Sequence, residues 1–240
     1  TTLRVTSLGD WVFLDLSVGN VDWDHTTWYA GRRRLPGEGY KFFVWDAERT
    51  FWNLNENRTG LNNANRPSRL HQRLATNEEY KTLFRDRVQR HFFDDGVLTA
   101  EAAQARWDSF AEHIELALAA ETARWGDDKR ANAPYNTRQE WATELNWFRR
   151  TYFPRRSGLV YGQLAQRGLA RSTTAPPVIT PADGRIPPGG AGLEITMTSS
   201  TGSIYYTLDG TDPRLEGNGV AAPANRLTRP LNRPPDRPAA

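Results

Sequence analysis

Apolar and polar positions change rhythm several times along the chain, and each rhythm predicts a different element. Over 3–19 the apolar residues Leu8, Trp11, Val12, Leu14, Leu16 and Val18 fit a buried helix, and Gly19-Asn20 supplies its stop. Trp11 and Phe13 are expected in the core. Over 28–33 and 40–45 the chain is aromatic-rich and suited to strands, and Pro36-Gly37-Glu38-Gly39 between them has the chemistry of a slightly long hairpin loop. Residues 53–67 carry Asn, Arg and Gly without any period, which predicts a long surface loop.

From Ser68 the helical period returns. Thr76-Asn77-Glu78-Glu79 reads as a capping box ahead of Tyr80, Leu83, Phe84, Val88 and Phe92, whose spacing lays one apolar stripe against a core. A second helix is expected to start at Val97-Leu98-Thr99 and to run through Phe110, Ile114 and Leu118 to Trp125-Gly126, with Glu121 and Arg124 as an i,i+3 ion pair. Thr137-Arg138-Gln139-Glu140 reads as another capping box, and Pro154 is expected to turn the chain into a last helix over 155–167. At 171–176 the composition shifts to small residues and Pro, as in a linker. Beyond it, short alternating runs at 177–180, 193–198 and 203–208 predict strands of an immunoglobulin-type sandwich. The Pro- and Arg-rich residues 215–240 lose that alternation, so the second domain is expected to be partial, with a disordered tail.

The hairpin has a chemical consequence. An antiparallel hairpin returns the chain to its starting point, so Asp46, after the second strand, is brought beside the loop 22–27 that precedes the first. Two acidic loops converge. In phosphoryl-transfer sites of the protein-kinase type, a loop Asp orients the attacking hydroxyl, the residue five positions on holds a metal, and an Asp after a hairpin holds Mg²⁺. Asp22, Thr27 and Asp46 have that order and nearly that spacing. Thr27 is a weaker ligand than an amide, because hard cations favour carboxylate and carbonyl oxygens. On spacing alone, an Asp-rich turn beside a hairpin is more often a capped, solvated loop.

Composition removes several alternatives. The chain has no Cys, which excludes disulfides, thiolate metal sites and Cys nucleophiles. His25, His71, His91 and His113 lack metal-ligand spacing, and only His25 lies in the acidic loop. With 31 basic and 28 acidic residues, and the basic ones spread along the chain, no nucleic-acid partner is expected. No apolar run approaches the ~20 residues of a membrane span, and no signal peptide is visible.

The run Gly19-Asn20-x-Asp22-Trp23, then Trp28-Tyr29-Ala30-x-Arg32-Arg33, then Phe42-Phe43-x-Trp45-Asp46-Ala47-Glu48 resembles the CotH kinase family, atypical kinases first associated with bacterial spore coats. Glu121, Arg124, Trp125 and Gly126 match a further family fragment, and the likeness covers about residues 1–170. It implies Asp22 as the catalytic Asp, Asp46 as the metal-binding Asp with Glu48 as an auxiliary acid, and Thr27 in the metal slot where the family has Asn. Mg²⁺ and ATP are the implied cofactors, a coat or surface protein the implied substrate; the nucleotide-contacting residues are unassigned. Residues 204–214, Ile-Tyr-Tyr-Thr-Leu-Asp-Gly-Thr-Asp-Pro-Arg, resemble the signature of the chitobiase/β-hexosaminidase C-terminal domain. There Asp209 and Asp212 would be turn residues rather than catalytic ones.

The expected fold is therefore α+β. A mainly helical kinase-like C-lobe with one hairpin spans 1–170, 171–176 link it onward, and a partial immunoglobulin-like β domain spans 177–240. The expected function is transfer of phosphate from Mg²⁺-ATP to protein Ser or Thr, in a bacterial protein at or outside the cell surface. The alternatives are a non-catalytic secreted or surface scaffold with a degenerate kinase-like lobe, and a glycan-associated accessory protein. Because the sequence starts at Thr1 and no Gly-rich phosphate loop or paired Lys precedes Asp22, the natural N-terminus is expected upstream. This stretch by itself is expected to transfer no phosphate.

Overall fold

Val5–Val18 form helix α1, on which the first of the two units packs. Leu8, Trp11, Val12, Phe13 and Leu16 are all buried, so the helix is covered on several sides, which is why its apolar residues follow no single stripe. Gly19 ends it at φ 65° with its N–H turned back to the Asp15 and Leu16 carbonyls. A side chain there would also meet Glu56 Cβ at 3.2 Å. The computed structural model describes residues 2–170, 177–181, 194–200 and 203–207, and the two units are Thr1–Arg171 and Ser172–Ala240.

Strands β1 (Trp28–Gly31) and β2 (Lys41–Val44) pair antiparallel, with Trp28 opposite Val44 and Gly31 opposite Lys41. Both are shorter than the aromatic runs that predict them. Phe42 anchors the hairpin: its ring lies 5.2 Å from Trp11 and 5.8 Å from Trp28, and its N–H donates to Ser7 Oγ of α1 at 3.1 Å. Aromatic pairs at these separations add roughly 0.5–1.5 kcal/mol beyond their buried area.

Helix α2 (Pro67–Leu74) and helix α3 (Glu78–Phe92) follow. The cap of α3 is Asn77, one residue beyond the expected Thr76; its Oδ1 accepts from Tyr80 N, while Thr76 Oγ donates to Arg73 at the end of α2. Helix α4 (Ala100–Lys129) starts just after the expected Val97-Leu98-Thr99, with Thr99 as its cap, but runs past Gly126. In place of the expected Glu121–Arg124 pair, the Arg124 guanidinium lies over the Trp125 ring at 4.9 Å.

Residues 137–166 are helical throughout. Widened π-type turns at Thr137–Trp141 and Phe148–Tyr152 flank α5 (Ala142–Trp147), and α6 (Phe153–Gln166) continues from the second. Asn136, not Thr137, caps the start, accepting from Gln139 N at 2.7 Å. Pro154 was expected to turn the chain, yet the backbone stays helical on both sides of it. A widened turn just before a proline relieves the clash its ring would otherwise make one turn back.

Two apolar clusters result. The larger joins α1, α3 and α6 through residues such as Phe13, Phe84, Val88, Val160 and Leu164; the smaller gathers Leu54, Phe148, Tyr152 and Phe153, with Phe51 and Trp107 against them. Arg156 fastens them. Its guanidinium, buried, donates to four carbonyls: Leu16 at 2.6 Å, Leu54 at 2.7 Å, Ser17 at 2.8 Å and Glu56 at 2.9 Å. Through these bonds the segment 53–67, expected as a surface loop, is strapped to the helices. Leu54 and Thr59 in it are buried, and Gln72 donates to the Thr59 carbonyl at 2.9 Å.

In the second unit, Val178–Thr180 and Thr196–Thr198 pair as antiparallel β3 and β4, with Ile179 opposite Met197. These two strands lie within two of the predicted runs, and no sandwich is present among the described residues. The predicted linker, the Asp209-Gly210 turn, Asp212-Pro213 and the tail 215–240 lie outside the described residues. No described helix is long and apolar enough to cross a membrane.

Candidate functional site

Sterics and hydrogen bonding bring the two acidic loops together before any side-chain chemistry is considered. Trp45 N–H donates to the Thr27 carbonyl at 3.3 Å, extending the hairpin by one rung, and Val21 N–H donates to the Arg49 carbonyl at 3.1 Å. Phe51 N–H then donates to the Val18 carbonyl at 2.8 Å. These bonds bracket Asp22 on one loop and Asp46 and Glu48 on the other. Asp46 sits at φ 50° and Phe51 at φ 64°, left-handed conformations that non-glycine residues adopt at a cost of order 1–3 kcal/mol. Asp tolerates that region better than most; Phe does not, so the packing around the half-buried Phe51 must hold the second loop in place.

Asp22 is half-buried and held by its backbone. Its carbonyl accepts from His25 N at 2.8 Å and Thr27 Oγ at 3.1 Å, and its N–H donates to Asn20 Oδ1 at 3.3 Å. The carboxylate itself is left open: Oδ1 is buried with no hydrogen-bond partner, and Oδ2 lies 4.0 Å from Arg49 Nη1. The Arg49 guanidinium also lies over the Trp52 ring at 5.0 Å. Asp46 and Glu48 are exposed, and Thr27 is buried with its hydroxyl proton committed to Asp22. His25 is exposed, and its carbonyl accepts from Arg66 at 2.5 Å.

Three neighbours carry no assignment from the sequence. Asp15, on α1, is buried and accepts from Asn20 Nδ2 at 2.9 Å, while its Oδ2 has no partner. Burial first, then the nearby Asp22 charge, push its carboxyl up to about 7 against the opposing Asn20 hydrogen bond. Asn20 thus links the backbone of Asp22 to a buried acid. Asp24, also buried, accepts from Ser68 N at 2.6 Å, Ser68 Oγ at 2.7 Å and Asn63 Nδ2 at 2.7 Å, so it caps α2 from a distance where the adjacent Arg66 side chain does not. Arg49 is the third. A signal for Asp15 existed: one acid four residues after Trp11 and seven after Leu8 stands on a helix face that is otherwise apolar.

The carboxylates of Asp22, Asp46 and Glu48 and the Thr27 hydroxyl offer oxygen ligands, the kind a hard cation takes. Among the described residues no three acids or histidines gather closely enough to hold a metal unaided. Mg²⁺ is commonly held by one or two carboxylates plus substrate phosphates, and Asp46 and Glu48 are exposed carboxylates two residues apart on the second loop.

Residues 1–159 match the family model described as CotH kinase protein. No curated protein and no solved structure matches the chain.

Proposed function

The chain belongs to the CotH kinase family, and on that premise we propose that it is a phosphotransferase whose site is the pair of tied loops, moving the terminal phosphate of Mg²⁺-ATP to a Ser or Thr hydroxyl of a protein. The observation that carries this reading is the buried, unpartnered Oδ1 of Asp22, on a loop bonded on both sides to the loop of Asp46 and Glu48. An acceptor left open in a poorly solvated site costs free energy unless a ligand donor fills it. Asp22 orients the substrate hydroxyl and takes its proton as the new oxygen–phosphorus bond forms and the bond to the leaving diphosphate breaks. Asp46 and Glu48 hold the cation, with Thr27 oxygen as a weak further ligand. When bound, the cation neutralises charge on the phosphate oxygens. Arg49, its charge at the rim beside Asp22, contacts the same oxygens. The family's first association points to coat or surface proteins of bacteria as substrates, outside the cell or at its surface.

Adding Mn²⁺ with ADP to the 240-residue chain should broaden the backbone amide resonances of residues 45–48 and leave those of α4 unchanged. Asp46→Ala should remove the effect. Equal broadening in that variant would sink the metal assignment. In a radiolabel transfer assay, Asp22→Ala should abolish whatever transfer is measured while keeping the Mn²⁺ effect.

A second reading, a non-catalytic binding or scaffold protein, is favoured by Thr27 alone, a buried hydroxyl whose proton is already spent. Thr27→Asn separates the two. A several-fold tighter Mn²⁺ response supports the kinase reading, and no change in Mn²⁺ response or transfer supports the scaffold.

A further inference from the structure

Between α1, α4 and α6 lies a cavity of about 390 Å³, within the size range of small-molecule sites. Val18, Phe51, Trp107, Phe110, Phe153 and Val160 are among its walls. Val160 is fully buried and marks the inner end; Phe110, 69% exposed, marks where the cavity reaches solvent.

Most polar side chains of the lining already have hydrogen-bond partners in the protein. Ser17 Oγ donates to Phe13 at 2.7 Å, Ser157 Oγ to Leu98 at 2.8 Å and Tyr152 Oη to Val18 at 3.3 Å, each to a backbone carbonyl. The Arg156 guanidinium is spent on its four carbonyls, and Arg106 donates to the Val97 carbonyl. The hydroxyl donors and the Arg156 guanidinium are therefore committed within the protein, while Arg106 is exposed and uses one N–H in this way. What remains is hydrocarbon and the Trp107 indole N–H, which is buried without a partner. A water in such a space finds few partners, and a cavity of this kind favours an apolar guest over water.

We propose that this cavity is a binding site for a neutral, largely hydrocarbon small molecule, of roughly two to three fused rings by comparison with a benzene-sized cavity. The site is independent of phosphoryl transfer, although Val18 and Phe51 in its wall are joined by the hydrogen bond that closes the two acidic loops.

Titration of the 240-residue chain with 1-aminoanthracene, neutral and fluorescent in dry surroundings, tests the proposal. Saturable one-to-one binding is expected, at least tenfold tighter than that of anionic anilinonaphthalene sulfonate. Ala103→Phe, which fills the space, should abolish binding. Phe110→Ala, at a position too exposed to decide folding, should weaken it at least threefold while circular dichroism and the melting curve stay unchanged. Three results would overturn the site: no saturable binding, equal binding of the sulfonate, or binding indifferent to both substitutions. Sedimentation supplies a fourth. A dimer that the probe dissociates would mean that a second copy of the chain, rather than a small molecule, occupies the cavity.

Discussion

Helices α1 and α4 come from one chain and do opposite things with their apolar residues. Of the 14 residues of α1, eight are buried, including one acid. Of the 30 residues of α4, only Ala111 and Gly126 are buried among those whose side chains are described, while Phe110, Ile114, Leu116 and Trp125 face outward. The short helix exists because neighbours cover it. The long one rests more on propensity: it is rich in Ala and Glu, and Thr99 caps it by accepting from Ala102 N. Tertiary packing thus sets the energetics around α1 and its site, whereas α4 is held mainly by local terms along most of its length.

The largest expected effect breaks the α1 side of that contrast. Arg156→Ala removes a donor from four carbonyls; Leu16 keeps Gly19 N–H and Glu56 keeps Gln163 Nε2, whereas the Ser17 and Leu54 carbonyls lose theirs at about 1–3 kcal/mol each, so a loss of about 2–6 kcal/mol is expected in urea unfolding. A loss under about 1 kcal/mol would mean that these bonds do not hold the two clusters together.

Asp15→Asn tests the buried acid. Its folded-state pKa lies above the unfolded value, so the folded state binds the proton more tightly, and stability falls as pH rises from about 4 to about 7. The asparagine keeps the oxygen that accepts from Asn20 and removes the titration. The variant is expected to be more stable than the parent by about 1–3 kcal/mol at pH 8, with a flatter profile between pH 4 and 7. His71 acts in the opposite sense. Burial holds its imidazole down to about 4, so its contribution is lost as pH falls from about 6.5 to about 4, and it should give both proteins a common acid limb.

The smallest effects belong to α4. Thr99→Ala should cost about 1 kcal/mol through the lost cap. Leu116→Ser, at an 87% exposed position, should stay within about 0.5 kcal/mol in the same assay. A larger loss at Leu116 would show that something covers this face in solution.

Much of the first unit was legible in the sequence. Periodicity located the α1, α3 and α6 helices, the hairpin residues located both strands, and Val97-Leu98-Thr99 marked the start of α4. Both predicted capping boxes slipped by one residue, because adjacent Thr and Asn are chemically equivalent there and only the backbone chooses between them. Segment 53–67 is the irregular, mostly exposed loop the sequence predicts, but its anchoring was not legible, because Arg156, which binds the Leu54 and Glu56 carbonyls, lies about a hundred residues away. At the candidate site, local motifs named Asp22, Asp46, Thr27 and Glu48, and the antiparallel turn implied that their loops run together. They did not name Asp15, Asp24 or Arg49.

What the sequence determined by itself is what contiguous residues control: helical and strand period, stop signals, and acids at fixed spacing in a hairpin. Only the tertiary structure decided which of those acids lose water. Desolvation and hydrogen-bond partners depend on groups brought in from afar, as Ser68 is to Asp24 across 44 residues and Arg156 to the Leu16 carbonyl across 140. A carboxylate with no partner is a property of that enclosure, so the open oxygens of Asp15 and Asp22 belong to the fold and cannot be read from the order of residues alone.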